Sequence, residues 1–380
     1  MKKYLLPISL MALSVSTAVN ADVRINGFAN FTAGMTTDES GLYGYDDSVD
    51  FSNGSLFALQ ISGDVNENVT ATAQIVARGA ENYEAEFEWA YLTYAINDTS
   101  SISAGRLRTP VFRYSSSLDV GYSYHWITAP RSVYNVPFNN FNGVRYDYSS
   151  YLGDWEVAFQ LSLGEYNESV SGGSVEADEL INLSLETTYE SFKARIVAGR
   201  ANNSFSQVLV DGAIANLAPL APGLADDLAL VDDQGVFLGL GLEYDNFDWF
   251  VSGELTSVET EDSFSPEDIA WYVTAGMRLG KWTPHLTYET RDGNQDFKFL
   301  DQVAAFPPEF QPGLMQAVAG LQGFFMEEFS MITVGLRYDF DTNVALKAEV
   351  SRYDNKIDNP ADINTAEDTT LINISVNYVF

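Results

Sequence analysis

The residues of this chain with most capacity for chemistry are arginines: Arg24, Arg78, Arg106, Arg108 and Arg145, with Arg113 and Arg131 between positions 110 and 142. A guanidinium is always charged and grips carboxylates or phosphates through a planar fork of donors. Gathered on one wall, these groups would bias a passage toward anions. Paired with acids such as Glu88, Glu156 or Glu186, they would instead stiffen the structure. Both readings stand on the sequence. Support for an enzyme is thin. There are two histidines, His125 and His285, no cysteine and no G-x-S-x-G. Acyl-transfer chemistry needs a nucleophile, a base and an orienting group. No catalytic residue, cofactor or metal set is expected. Acid pairs such as Asp46-Asp47, Asp226-Asp227 and Asp232-Asp233 carry oxygen ligands that suit hard cations, but they lack a spaced binding loop and read as solvated surface.

The chain has 380 residues and a net charge of −33. Such acidity disfavours nucleic acid, whose phosphates must be neutralised by Lys and Arg. Disorder is equally disfavoured, with 46% hydrophobic residues, 21 tyrosines and 24 phenylalanines. Met1-Lys2-Lys3, the apolar run Leu5–Val15 and the small residues Val19-Asn20-Ala21 read as a signal peptide over 1–21, leaving one domain over 22–380. No later stretch has the roughly 18 continuous apolar residues of a membrane helix.

Alternation positions the arginines. Ile372, Ile374, Val376, Tyr378 and Phe380 share one parity, and Asn373, Ser375 and Asn377 take the other. Successive strand side chains point to opposite faces, so the segment has one apolar and one polar face. The pattern recurs from Val23 onward, as in Leu238, Leu240, Leu242 or Ile332, Val334, Leu336. Seven short turns alternate with eight long connections, among them 110–142, 165–179, 202–236 and 291–330. Fifteen connections predict sixteen strands. Parity sends Arg24, Arg78, Arg106, Arg108 and Arg145 inward. The outward alternative costs about 2–4 kcal/mol for an arginine at mid-membrane.

Together these features predict an all-β transmembrane antiparallel barrel with short periplasmic turns and long outer loops. Val23–Gly34 (VRINGFANFTAG), Gly105–Pro110 (GRLRTP), Phe141–Tyr148 (FNGVRYDY) and the terminal NYVF resemble the general Gram-negative porins, trimeric sixteen-stranded diffusion channels. The resemblance implies that the third long loop folds into the lumen and narrows the pore. It also implies a homotrimer in the outer membrane, in contact with lipid and lipopolysaccharide, passing small hydrophilic solutes. Many porins place acids on this loop; here it has only Asp119, and many aromatics. The constriction is therefore expected to be formed by Arg24, Arg78, Arg106, Arg108, Arg113, Asp119, Arg131 and Arg145, with a weak anion preference. Tyr378 and Phe380 are expected to act as the assembly signal. A channel selective for sugars or organic acids, or a structural or adhesive barrel, remain alternatives. The apolar segments 208–230 and 314–325 read as short helices, either capping the barrel or lining an apolar path over its mouth.

Overall fold

The computed structural model describes residues 23–380 apart from 137, 171, 261–262, 266, 294–297, 325 and 358–366. The proposed signal peptide, 1–21, lies outside these residues.

Sixteen strands form one closed antiparallel barrel in which sequence neighbours pair throughout. They are β1 (Val23–Thr36), β2 (Leu56–Asn66), β3 (Val69–Arg78), β4 (Ala85–Asn97), β5 (Ser100–Arg108), β6 (Asn140–Leu152), β7 (Trp155–Val170) and β8 (Gly173–Tyr189), then β9 (Phe192–Gln207), β10 (Asp233–Asp245), β11 (Trp249–Thr260), β12 (Asp268–Met277), β13 (Trp282–Gly293), β14 (Glu328–Asp341), β15 (Val344–Asn355) and β16 (Thr369–Val379). Closure leaves no unpaired edge, the condition for backbone to cross hydrocarbon. The outward parity is apolar and exposed: Ile25, Ile61, Leu240, Val334 and Ile374 all point away from the lumen. The opposite parity is polar and largely buried, as with Ser252, Thr274 and Ser375.

All seven expected turns join strand pairs, from the one between β2 and β3 to the one between β14 and β15. One expected outer loop is different. Residues 165–179 are mostly strand, since β7 runs to Val170 and β8 starts at Gly173. Bulges after Gly164 and Asp178 let this hairpin continue above the barrel, an irregularity that parity counting reads as loop.

The β1–β16 seam ends in a pair of hydrogen bonds between Gly27 and Phe380, each 2.9 Å. A side chain at Gly27 would collide with the Phe380 ring, whose Cζ would lie 2.2 Å from the added carbon. Phe380 also stacks near Tyr378 and Phe57. Above the barrel, the two apolar segments do form helices: α2 (Val208–Leu217) and α3 (Pro222–Leu228) in one loop, α5 (Gln311–Gly323) in another, with α4 (Leu300–Ala304) before it. Leu224, Leu228, Val303, Leu314 and Val318 form one buried cluster. The two loops thus bury each other's apolar faces and cap one side of the mouth.

Candidate functional site: the third loop and the lumen

The connection from β5 to β6 turns into the barrel. Among its described residues the only regular structure is two 3₁₀ turns, Ser115–Ser117 and Gly121–Ser123, and one α-helical turn, Arg131–Tyr134. A buried backbone of this kind must find partners for its N–H and C=O groups. The inner wall provides them, acids for the donors and cations for the acceptors. The Ile127 N–H donates to Glu349 at 2.8 Å, Ser132 N–H to Glu289 at 2.8 Å and Arg113 N–H to Glu254 at 3.0 Å. The carbonyls of Tyr122 and Tyr124 accept from Arg337 at 2.6 and 2.7 Å. Those of Gly121 and Trp126 accept from Lys347, and that of Pro110 from Arg195.

Side chains complete the docking. Trp126 donates from its indole to Thr287 at 2.9 Å, and the hydroxyls of Tyr134 and Tyr272 both donate to Glu254. Phe112, Trp126, Tyr134 and Tyr272 share one buried cluster. Burying a side chain the size of Phe112 is worth about 1.5–3 kcal/mol. At the far side, Val120 packs on Phe28, Ala58 and Val76. Gly121 passes so close to the wall that a Cβ there would lie 2.6 Å from both Asn30 and Asn377. The loop is therefore an inner layer of the barrel, held from β1 round to β16 and on to β9. His125 and His285 meet here, with ring centroids 4.7 Å apart and His125 Nε2 3.0 Å from Thr274. Burial first, then His285 and Lys347, pushes the His125 imidazole well below its ordinary value. It is a neutral packing group.

The arginines do not stand free. Arg78 binds Glu86 at 2.6 Å, Glu88 at 2.5 Å and Asp119 at 3.2 Å. Arg108 binds Asp119 at 2.6 Å and Glu88 at 3.0 Å. Arg106 binds Glu168 at 2.6 Å, Arg145 its strand neighbour Asp147 at 2.9 Å and Arg24 Asp64 at 3.1 Å. Arg113 pairs with Glu243, and Arg131 lies over the Tyr43 ring, 4.1 Å from its centroid. Six of these arginines are thus ion-paired with separate acids, and only Arg78 and Arg108 share Asp119 and Glu88.

The parity argument for two arginines also needs correction. Lumenal Ser103 has odd number, so regular alternation would send Arg106 and Arg108 the other way. Two irregularities intervene. Gly105 sits at φ 137°, a conformation that glycine tolerates and other residues rarely adopt. A bulge in β4 sets Phe87 and Trp89 opposite consecutive β3 residues, so Glu88 turns with Trp89 toward the interior. Arg108 then reaches Asp119 inside the barrel and stacks on Trp89. Arg106 keeps the parity of Ile102 and reaches Glu168 on the raised hairpin.

Around the wall from β6 to β9, inner side chains pair among themselves. Gln160 donates to Asp147 at 2.7 Å, Ser184 to Gln160 at 3.2 Å, and Arg195 and Lys193 flank Glu186. Sequence reading missed Glu254, Glu289, Arg337, Lys347 and Glu349 as the loop's anchors. Their inward parity was visible, but not their partners, which lie more than a hundred residues away.

The whole arrangement agrees with one family model, that of the Gram-negative porins, which matches residues 8–380. The chain belongs to this family. No curated protein sequence shows significant similarity to the porin. Among solved structures it resembles an anion-selective porin from Comamonas acidovorans, at 12% identity and TM-score 0.60, covering 95% of this chain and 100% of that one. It also resembles the outer-membrane channel DcaP of Acinetobacter baumannii, at 13% identity and TM-score 0.58, covering 96% and 99%. The trimer form of OmpT from Vibrio cholerae matches at 11% identity and TM-score 0.55, covering 95% and 99%. These likenesses are of fold. The porin is an outer-membrane channel for passive diffusion.

Proposed function

We propose that the channel passes small hydrophilic solutes between the docked third loop and the polar inner wall of β6–β9, with little ion preference at physiological salt. The observation that carries this reading is the loop's attachment: wall groups on β11, β13, β14 and β15 hold its backbone, so the constriction is fixed. Arg24, Arg78, Arg108, Arg113, Arg131 and Arg145 with Asp119 form or flank this passage, and Arg106 borders it only through its bond to Glu168 on the raised hairpin. The pairing of six of the arginines with acids supports a nearly neutral path. Acids on outer loops enrich cations at the mouth, but the Debye length of about 8 Å at 0.15 M salt keeps them from acting deeper. In planar bilayers the protein should open in ohmic steps with a near-zero reversal potential around 0.15 M salt, drifting toward cations at lower salt. Silent insertions, or strong selectivity of either sign at 0.15 M, would sink this reading.

A homotrimer fits the outer surface. The lipid-facing parity of β3–β5 carries Ala71, Ala73, Ala77, Ala85, Ala90 and Ala104, interspersed with the larger Ile75, Phe87, Leu92 and Ile102. Small residues let another copy approach closely, and a similar fold from Vibrio cholerae is described in a trimer form. The remaining outer face would meet lipid and lipopolysaccharide. Residues 1–21 would be removed on export, and Tyr378 with Phe380 would serve as the assembly signal. Deleting Phe380 removes both bonds to Gly27 and should lower insertion yield while leaving the selectivity of inserted channels unchanged. Normal yield of the truncated chain in outer-membrane fractions would refute the assembly role.

A further inference from the structure

A chamber of about 620 Å³ lies between the helical cap and the root of the third loop. Its wall is mostly apolar. Val111 and Phe138 come from the two ends of the loop, Ala177 from the raised hairpin, Phe237 from β10, and Leu230 and Met326 from the capping loops. The lumen of a water-filled barrel is ordinarily polar. Here inward positions near the outer mouth are Phe205, Phe237 and Val258, and they border open space. The volume falls in the range of small-molecule pockets, about 300–1,000 Å³, which are likewise apolar with a few polar groups.

Two features define what would fit. The first is aromatic. Phe138 meets Phe237 edge to face at 6.1 Å on the floor, and Phe205 meets Phe324 at 6.2 Å under the cap. Flat rings are favoured between such walls. The second is charge. Arg291 at the chamber's side is held by Asp268 at 2.6 Å and Glu327 at 3.1 Å, two acids on one guanidinium. Arg200 also lines the chamber, so its charged groups nearly cancel, and an ion entering the apolar space would lose its hydration with no net attraction in return. The amides of Asn135, Asn182 and Asn203 offer neutral hydrogen-bonding groups around the rim. Thr109 and Val111 in the floor are the first residues of the loop that forms the constriction.

We propose that this chamber binds uncharged aromatic molecules carrying one or two hydrogen-bonding groups, ahead of the narrow part of the pore. The inference goes beyond diffusion of hydrophilic solutes and does not depend on the pore's ion preference. Indole is a suitable neutral probe, indole-3-acetate its anionic counterpart and glucose a polar control. Indole added to the outer side of wild-type channels should block current reversibly. Indole-3-acetate should be weaker by about tenfold or more, and glucose should not block. Ala201→Trp, which intrudes into the chamber, and Phe138→Ser, which removes an aromatic wall, should each weaken indole by about tenfold, the scale of one lost aromatic contact with its burial. Neither residue makes one of the polar bonds that hold the loop's backbone, and Ala201 lies on the wall, so a loosened loop end at Phe138 would not be shared by both variants. Calorimetry on the protein in nanodiscs must give the same ranking and needs no current, so it separates chamber binding from conduction. Should Ala201→Trp fail to insert, Phe138→Ser decides alone. Equal binding of indole to wild type and variant, no binding to wild type, or tighter binding of indole-3-acetate would each overturn the proposal.

Discussion

Removing residues 116–133 from the third loop should raise single-channel conductance several-fold and let larger neutral sugars through. The loop occupies the inner side of the barrel from β1 to β16 and on to β9, and Trp126, Tyr124 and Tyr134 are buried within that layer. Without it, Glu289 and Glu349 lose their donors Ser132 and Ile127 but gain water, so the barrel avoids the cost of dry unpaired carboxylates. Selectivity should move toward cations at the same time, because these acids would then line a wet wall. Planar-bilayer conductance and liposome swelling with sugars of graded size measure both effects. A shortened channel with wild-type conductance would mean that the passage runs elsewhere.

Asp119→Asn should shift the reversal potential toward anions. Asp119 shares its two oxygens between Arg108 and Arg78, and Glu88 binds the same two guanidiniums. Removing one carboxylate leaves the cluster one unit more positive. Losing one partner of a buried pair typically costs about 3–5 kcal/mol. Here Glu88 stays bound to both arginines, so the loss should be smaller and the loop should remain docked. Acid should reproduce the change. Burial disfavours the charge on Asp119, but the Arg108 and Arg78 guanidiniums outweigh it and hold the carboxyl below its ordinary 3.8. For a depressed carboxylate the stabilisation is present above the ordinary value and is lost as pH falls through the lower folded one. Loss of the Asp119 charge should therefore shift the reversal potential only below about pH 4, and wild type should shift further there than Asp119→Asn, in which only the other carboxylates titrate. A variant with unchanged selectivity at pH 7 would remove Asp119 from the constriction.

The barrel was legible because the membrane imposes a strict rule. Every second residue of Ile372–Phe380 meets lipid and must be apolar, so parity carries over twenty residues or two hundred without other knowledge. The helices in 208–230 and 314–325 were legible for a similar reason, since apolar segments next to water must bury a face. The interior obeyed looser rules. Gly105 and the bulge beside Glu88 each upset alternation, and parity then gave the wrong reason for placing Arg108 inside. Asp119 was singled out as the lone acid of its loop, but its role as the point where Arg78 and Arg108 meet depends on a loop path that no local pattern encodes. The anchors Lys347 and Glu349 sit in an ordinary alternating strand. Nothing in that strand marks them apart from other inward polar residues.

The loop's attachment also has a consequence for the order of folding. Ile127 is bonded to Glu349 across 222 residues, and Gly121 to Lys347 across 226. Bringing such distant positions together carries a large chain-closure cost, which is offset only once the strands that hold them are in register. The third loop is made early in the chain, but most of its docking sites are on the last six strands. Its backbone has only isolated single turns of helix to adopt while it waits. A barrel must therefore close, or nearly close, before its constriction can form. A newly closed barrel would pass through a stage with a wide lumen and an undocked, aromatic-rich loop, and narrowing to the final bore would be the last event of its maturation.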